Sequence, residues 1–172
     1  YTMKVAKASV ALSGESAVAV GSTTKLTTTK KASSRAKITY TSSDETIATV
    51  SEDGTVKGVK AGKATITAKL VIGKDTATAT QEVEVKKYVL KSVAQTKADT
   101  FETSITGATK DIKTTDITVK NTENNVIVPV KSVSVDSKDA TKVTFTTFAG
   151  LTDGKTYDVT LDGTTKQVVV SD

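Results

Sequence analysis

The sequence predicts an all-β protein built as two tandem β-sandwich domains, and three observations carry that expectation. Threonine makes up about a fifth of the 172 residues, Trp is absent and Met occurs once; β-branched residues favour strands because they pack well on a pleated surface. Short segments of alternating character recur along the chain, each closed by a turn signal, and no segment shows the period of a long helix. The length exceeds one sandwich of about 100 residues and falls a little short of two full-sized ones. With 37% hydrophobic and 25% charged residues, the chain has enough apolar material to build cores.

The expected strands run over residues 25–29, 37–41, 64–70, 76–85, 116–120, 130–135, 142–146, 157–161 and 167–170. Between them stand Asp53-Gly54, Asp153-Gly154 and Asp162-Gly163, dipeptides that tolerate the positive φ of tight turns, and Ile72-Gly73-Lys74-Asp75 reads as a further hairpin. After the strand at 76–85 comes Lys86-Lys87, and Tyr88-Val89-Leu90 then starts a new pattern without a Gly/Ser/Pro-rich spacer. A boundary near residue 87 follows, giving domains 1–87 and 88–172. Charge divides the same way: 14 Lys+Arg against 8 Asp+Glu give the first half +6, and 10 against 11 give the second −1, matching the total of +5.

Composition excludes several chemistries. There is no Cys and no His, which removes the thiol nucleophile, the imidazole base and the usual zinc ligands, along with any disulfide. No run of 18 or more apolar residues appears, and the chain opens on Tyr1, so neither a membrane span nor a signal peptide is expected within it. The segment is expected to come from the interior of a longer chain. Lysines are scattered singly apart from Lys30-Lys31 and Lys86-Lys87, and aromatics make up only 4%, too few for the stacking platform of a nucleic-acid binder. No phosphate-cradling G-x-x-x-x-G-K loop occurs.

Three acidic groupings could be asked to do acid/base work: Asp44-Glu45, Glu52-Asp53, and Asp136 with Asp139. Each falls in an expected turn, where carboxylates serve as solvated hydrogen-bond acceptors, so no catalytic residue is assigned. Asp136 and Asp139 are also the candidates for a loop-assembled calcium site, since hard oxygen ligands are what this chain can offer. No cofactor is required by the sequence, and calcium is the one considered.

Residues 37 to 70 carry a specific pattern: Tyr40 before Ser42-Ser43-Asp44, then Ile47-Ala-Thr-Val50, an Asp53-Gly54 turn, and Gly62-Lys-Ala-Thr-Ile66. The stretch resembles the core of the bacterial immunoglobulin-like group 2 domain, with 9–12 and 21–29 resembling that family's first strands. Where the family usually has Trp, this chain has Tyr40, a smaller core anchor whose hydroxyl needs a partner. The residues also have a purely structural reading. Ile47, Val50, Val56, Val59, Ile66 and Ala68 are expected to fill a sandwich interior while Thr and Lys face water, and Gly58 and Ala61-Gly62 to form a corner between strands.

In the second half, Asp116-Ile-Thr-Val-Lys-Asn, Val130-Lys-Ser-Val and Asp153-Gly-Lys-Thr-Tyr157 resemble the repeated domains of Gram-positive (bacillus-type) surface-layer proteins. Tyr157 matches a position that often bonds back to the corner of its own sandwich. The two resemblances imply tandem immunoglobulin-like domains of a secreted bacterial S-layer protein, a non-enzymatic structural module that spaces and tiles a self-assembling lattice on the cell wall. They imply partners among other domains or copies of the parent protein, and the basic first half suits anionic wall polymer. The alternative is a stalk or carbohydrate- or host-binding module of an adhesin or wall-associated enzyme. The net +6 of the first half predicts that the isolated segment is mainly monomeric, because two such domains repel.

Overall fold

In the computed structural model of this chain, which describes residues 7–32, 34–148 and 151–171, the alternation read in the sequence becomes a nearly all-strand structure with two short 3-10 turns. The strands fall into two units, Tyr1–Lys86 and Lys87–Asp172. Each is an immunoglobulin-like β-sandwich with its own core.

The first unit comprises β1 (Ser9–Ser13), β2 (Ala17–Ala19), β3 (Thr23–Lys25), β4 (Thr27–Lys31), β5 (Lys37–Ser42), β6 (Ala48–Val50), β7 (Thr55–Gly58), β8 (Gly62–Ile72) and β9 (Asp75–Lys86). One sheet has the order β2-β9-β8-β5 and another β3-β7-β6, with β1 and β4 forming a two-stranded ribbon. Strand β8 shows why these residues choose strand: Ala64, Ile66, Ala68 and Leu70 are buried while Thr65, Thr67 and Lys69 between them face outward. It pairs along its whole length with β9 through the hairpin Ile72-Gly73-Lys74-Asp75, where Gly73 takes the positive φ of 59° that a two-residue turn asks of its first position.

The expected interior residues divide. Val56, Ile66 and Ala68 are fully buried, and Ile47 and Val50 pack against the core half-buried. Val59 is instead 44% exposed. It lies just past β7, where the period of two puts Val56 and Gly58 inward and Lys57 and Val59 outward. Gly58 serves close packing: a Cβ there would stand 2.6 Å from the Ala19 carbonyl oxygen and 3.0 Å from Val85 Cγ1. The expected strand at 25–29 is split by buried Leu26 into β3 and β4, which join different sheets.

The second unit comprises β10 (Tyr88–Lys97), β11 (Thr100–Gly107), β12 (Ile117–Asn121), β13 (Ile127–Val128), β14 (Val130–Val135), β15 (Lys142–Thr147), β16 (Thr156–Leu161) and β17 (Thr164–Val169). Its sheets have the orders β10-β11-β15-β14 and β13-β12-β16-β17. Phe101 and Phe145 stack at its centre with ring centroids 5.1 Å apart, surrounded by Leu90, Ile105, Val119, Val143, Val159 and Leu161. The Asp162-Gly163 turn between β16 and β17 has both central residues at positive φ, 47° and 73°, the backbone that Asp-Gly dipeptides accept in two-residue hairpins. Strands β10 and β11 were not among the expected segments.

Candidate functional site

Catalysis would need a nucleophile, a base and a third group brought within hydrogen-bond reach. In each of the three acidic groupings the aspartates are instead occupied in closing a turn. Asp44 Oδ1 accepts from the Thr46 N–H at 2.9 Å and the Thr46 hydroxyl at 2.6 Å. The Thr46 hydroxyl, followed by its N–H, holds this carboxyl below its ordinary value. Glu45 beside it is exposed.

Asp53 is the most heavily engaged. Its carboxylate accepts from the Ser51 hydroxyl at 2.6 Å, the Thr55 N–H at 3.1 Å, the Thr55 hydroxyl at 2.9 Å and Lys25 Nζ at 3.2 Å. Ser51 first, and then Thr55 and Lys25, hold it far below the usual carboxylate range. Four donors stabilise its anion, so it is a poor general base as well as a turn lock.

Asp136 and Asp139 lie in the connection between β14 and β15. Asp136 Oδ1 accepts the N–H groups of Lys138 at 2.7 Å and Asp139 at 2.9 Å, and Asp139 Oδ1 accepts the N–H of Thr141 at 3.0 Å together with its hydroxyl. Both carboxyls are held below their ordinary values, Asp136 by the backbone of Lys138 and Asp139 by the Thr141 hydroxyl. Each thus spends one oxygen on its own turn. Calcium takes six to eight oxygens, and among the described residues no three Asp, Glu, His or Cys side chains gather where they could hold a metal.

Tyr40 is half-buried rather than sealed in the core. Its strand, β5, lies at the edge of its sheet, and its hydroxyl reaches the Thr28 hydroxyl at 2.6 Å beneath the turn at Gly54. Because β5 and β6 are both edge strands, a groove of about 350 Å³ opens beside them, lined by Lys37, Ile38, Thr39, Tyr40, Val50 and Glu52. Sequence reasoning placed Tyr40 and Val50 in the interior and did not foresee this groove, because edge position is set by sheet order. Tyr157 behaves as its resemblance implied: 3% exposed, it accepts the Thr152 N–H at 3.1 Å and ties the corner before β16. Lys87 Nζ sits 4.8 Å above the Tyr88 ring at the start of the second unit.

Among the described residues no helix is long and apolar enough to cross a membrane. Tyr88, Phe101, Phe145 and Tyr157 are buried, leaving Phe148, 68% exposed, as the one well-exposed aromatic ring among the described residues.

Residues 6–81 match the family model of the bacterial Ig-like domain (group 2). The chain is also similar to solved structures of S-layer protein SbsC. Domains 4 and 5 are 17% identical over 95% of this chain and 97% of that one, with a TM-score of 0.35. Domains 4–9 are 23% identical over 95% of this chain and 31% of that one, at 0.32, and domains 1–6 are 19% identical over 98% and 29%, at 0.35. With TM-scores of this size the likeness carries no argument about how this chain works. Comparison with curated proteins yields no match.

Proposed function

We propose that this chain is a structural module of a secreted bacterial surface-layer protein, spacing and helping to tile a self-assembling lattice at the cell wall. The observation that carries the reading is the match of residues 6–81 to a bacterial Ig-like domain, a non-catalytic kind of module. Two further features support it. The sequence of the second half resembles the repeated domains of bacillus-type surface-layer proteins, and Asp44, Asp53, Asp136 and Asp139 are each committed to a turn. The module has no turnover and works by rigidity, with other domains or copies of the parent protein as partners and wall polymer as a counterpart to the basic first unit. Calcium is not needed for its fold: added calcium or a chelator is expected to leave its melting temperature unchanged.

Antibodies raised against this segment and applied to intact cells of the source bacterium test the reading. Dense, regularly spaced surface labelling is expected. Labelling that appears only after the cells are broken open contradicts it.

A further inference from the structure

Strand β5 is a six-residue edge strand paired only with β8, in a register that runs from Lys37↔Val71 to Ser42↔Ile66 without a bulge. The edges of the second unit's first sheet are blunted: β10 carries two register shifts, and β14 one, next to Lys131. β5 runs without a bulge, and its one charged residue, Lys37, stands at its very start. The Ser43 N–H donates to the Thr65 carbonyl, and alternation then assigns Thr41, Thr39 and Lys37 as the residues bonded to β8. The N–H and C=O groups of Ile38, Tyr40 and Ser42 therefore point out of the sheet, toward the groove, and none of them has a backbone partner there among the described residues.

The charges of the chain running through β5 are polarised along it, with Glu52 in the neighbouring groove. Arg35 and Lys37 stand at its start, Asp44 and Glu45 just past its end, and the six residues between Lys37 and Asp44 are uncharged. An incoming strand that carried the same polarity would be repelled in parallel alignment and attracted in antiparallel alignment. A second copy of β5 offers that complement.

The geometry points to a two-fold contact between copies of this chain, in which β5 pairs antiparallel with its counterpart about Tyr40. Ile38 then faces Ser42 of the other copy, and Tyr40 faces Tyr40. These three bonded pairs exchange about six backbone hydrogen bonds. On the outer face, exposed Thr39 lies directly opposite Thr41 of the other copy at the closer, non-bonded positions, a favourable cross-strand pair. Lys37 of each copy comes opposite Ser43 of the other, next to Asp44, with Arg35 and Glu45 in the turns just beyond the paired strands. The net +6 of each first half opposes the approach at long range, so the contact strengthens as salt screens that repulsion while the backbone bonds persist. It requires no property of the parent protein beyond this strand, and stands or falls apart from the surface-layer reading.

Sedimentation of the full chain at about 50 mM and about 500 mM salt, a range over which the Debye length shrinks severalfold, tests the contact. Monomer is expected at the lower salt, with a dimer growing in as protein concentration rises at the higher. Two variants fix the register, both at exposed positions where folding tolerates change. T39E/T41K places Glu opposite Lys twice and is expected to tighten the dimer about tenfold, whereas T39K/T41K places Lys opposite Lys twice and is expected to abolish it. A wild-type chain that stays monomeric at millimolar concentration and high salt overturns the proposal. So does an association that responds equally to the two variants, or one that weakens as salt rises.

Discussion

At the scale of single residues, the sandwiches depend on a few positions where side-chain size or a hydroxyl decides the outcome. Gly58 is one, because a methyl group there meets the Ala19 carbonyl oxygen, which belongs to backbone and cannot swing away. Gly58→Ala is expected to cost about 1–3 kcal/mol, as overpacking does elsewhere, measured by denaturant unfolding. Tyr40 separates packing from hydrogen bonding. Tyr40→Phe loses only the Thr28 contact and should cost about 0.5–1.5 kcal/mol, while Tyr40→Ala also loses a half-buried ring and should cost about 2–4 kcal/mol. Equal costs for the two would show that the ring does not pack. The turn carboxylates give a pH signature. Asp44, Asp53, Asp136 and Asp139 are all held below their ordinary value in the folded chain, with bonds from neighbouring hydroxyls and backbone N–H groups as the leading cause. The unfolded chain therefore binds more protons than the folded one as pH falls through about 4. The melting temperature should be flat from about pH 5 to pH 8 and drop below about pH 4, a loss that Asp53→Asn should reduce.

At the scale of elements, what was legible in the sequence followed from local chemistry. The β8–β9 hairpin declared itself through long alternation and a Gly at the turn, and the Asp162-Gly163 turn through a dipeptide that accepts two positive φ values in a row. What was not legible depends on partners distant in sequence. Strand β2 is three residues, Ala-Val-Ala, and is a strand only because it pairs in parallel with Glu84, Val85 and Lys86 at the end of β9. Strands β10 and β11 join through an exposed Ala98-Asp99 tip that carries neither Gly nor Pro, so the usual punctuation was missing. Val59 was misplaced because its type suggested burial, while its parity along β7 put it outside. The acidic turns were read correctly as turn acceptors, since Asp followed at two residues by Thr or another N–H donor is a local motif. The open edge of β5 could not be read, because sheet order is a tertiary fact.

At the scale of the whole molecule, each unit holds its own core, one around Ile66 and Val83 and the other around Phe101 and Phe145. Residues 1–86 and 87–172, expressed separately, are each expected to melt cooperatively; failure of both would show that the cores are not independent. A module of this kind acts through its presence and length. The most direct test of the central claim is to delete this segment in frame from the parent gene and image wall fragments by electron microscopy. A lattice that is lost or changed in spacing is expected. An unchanged lattice, accompanied by loss of a wall-degrading or adhesive activity, would contradict it.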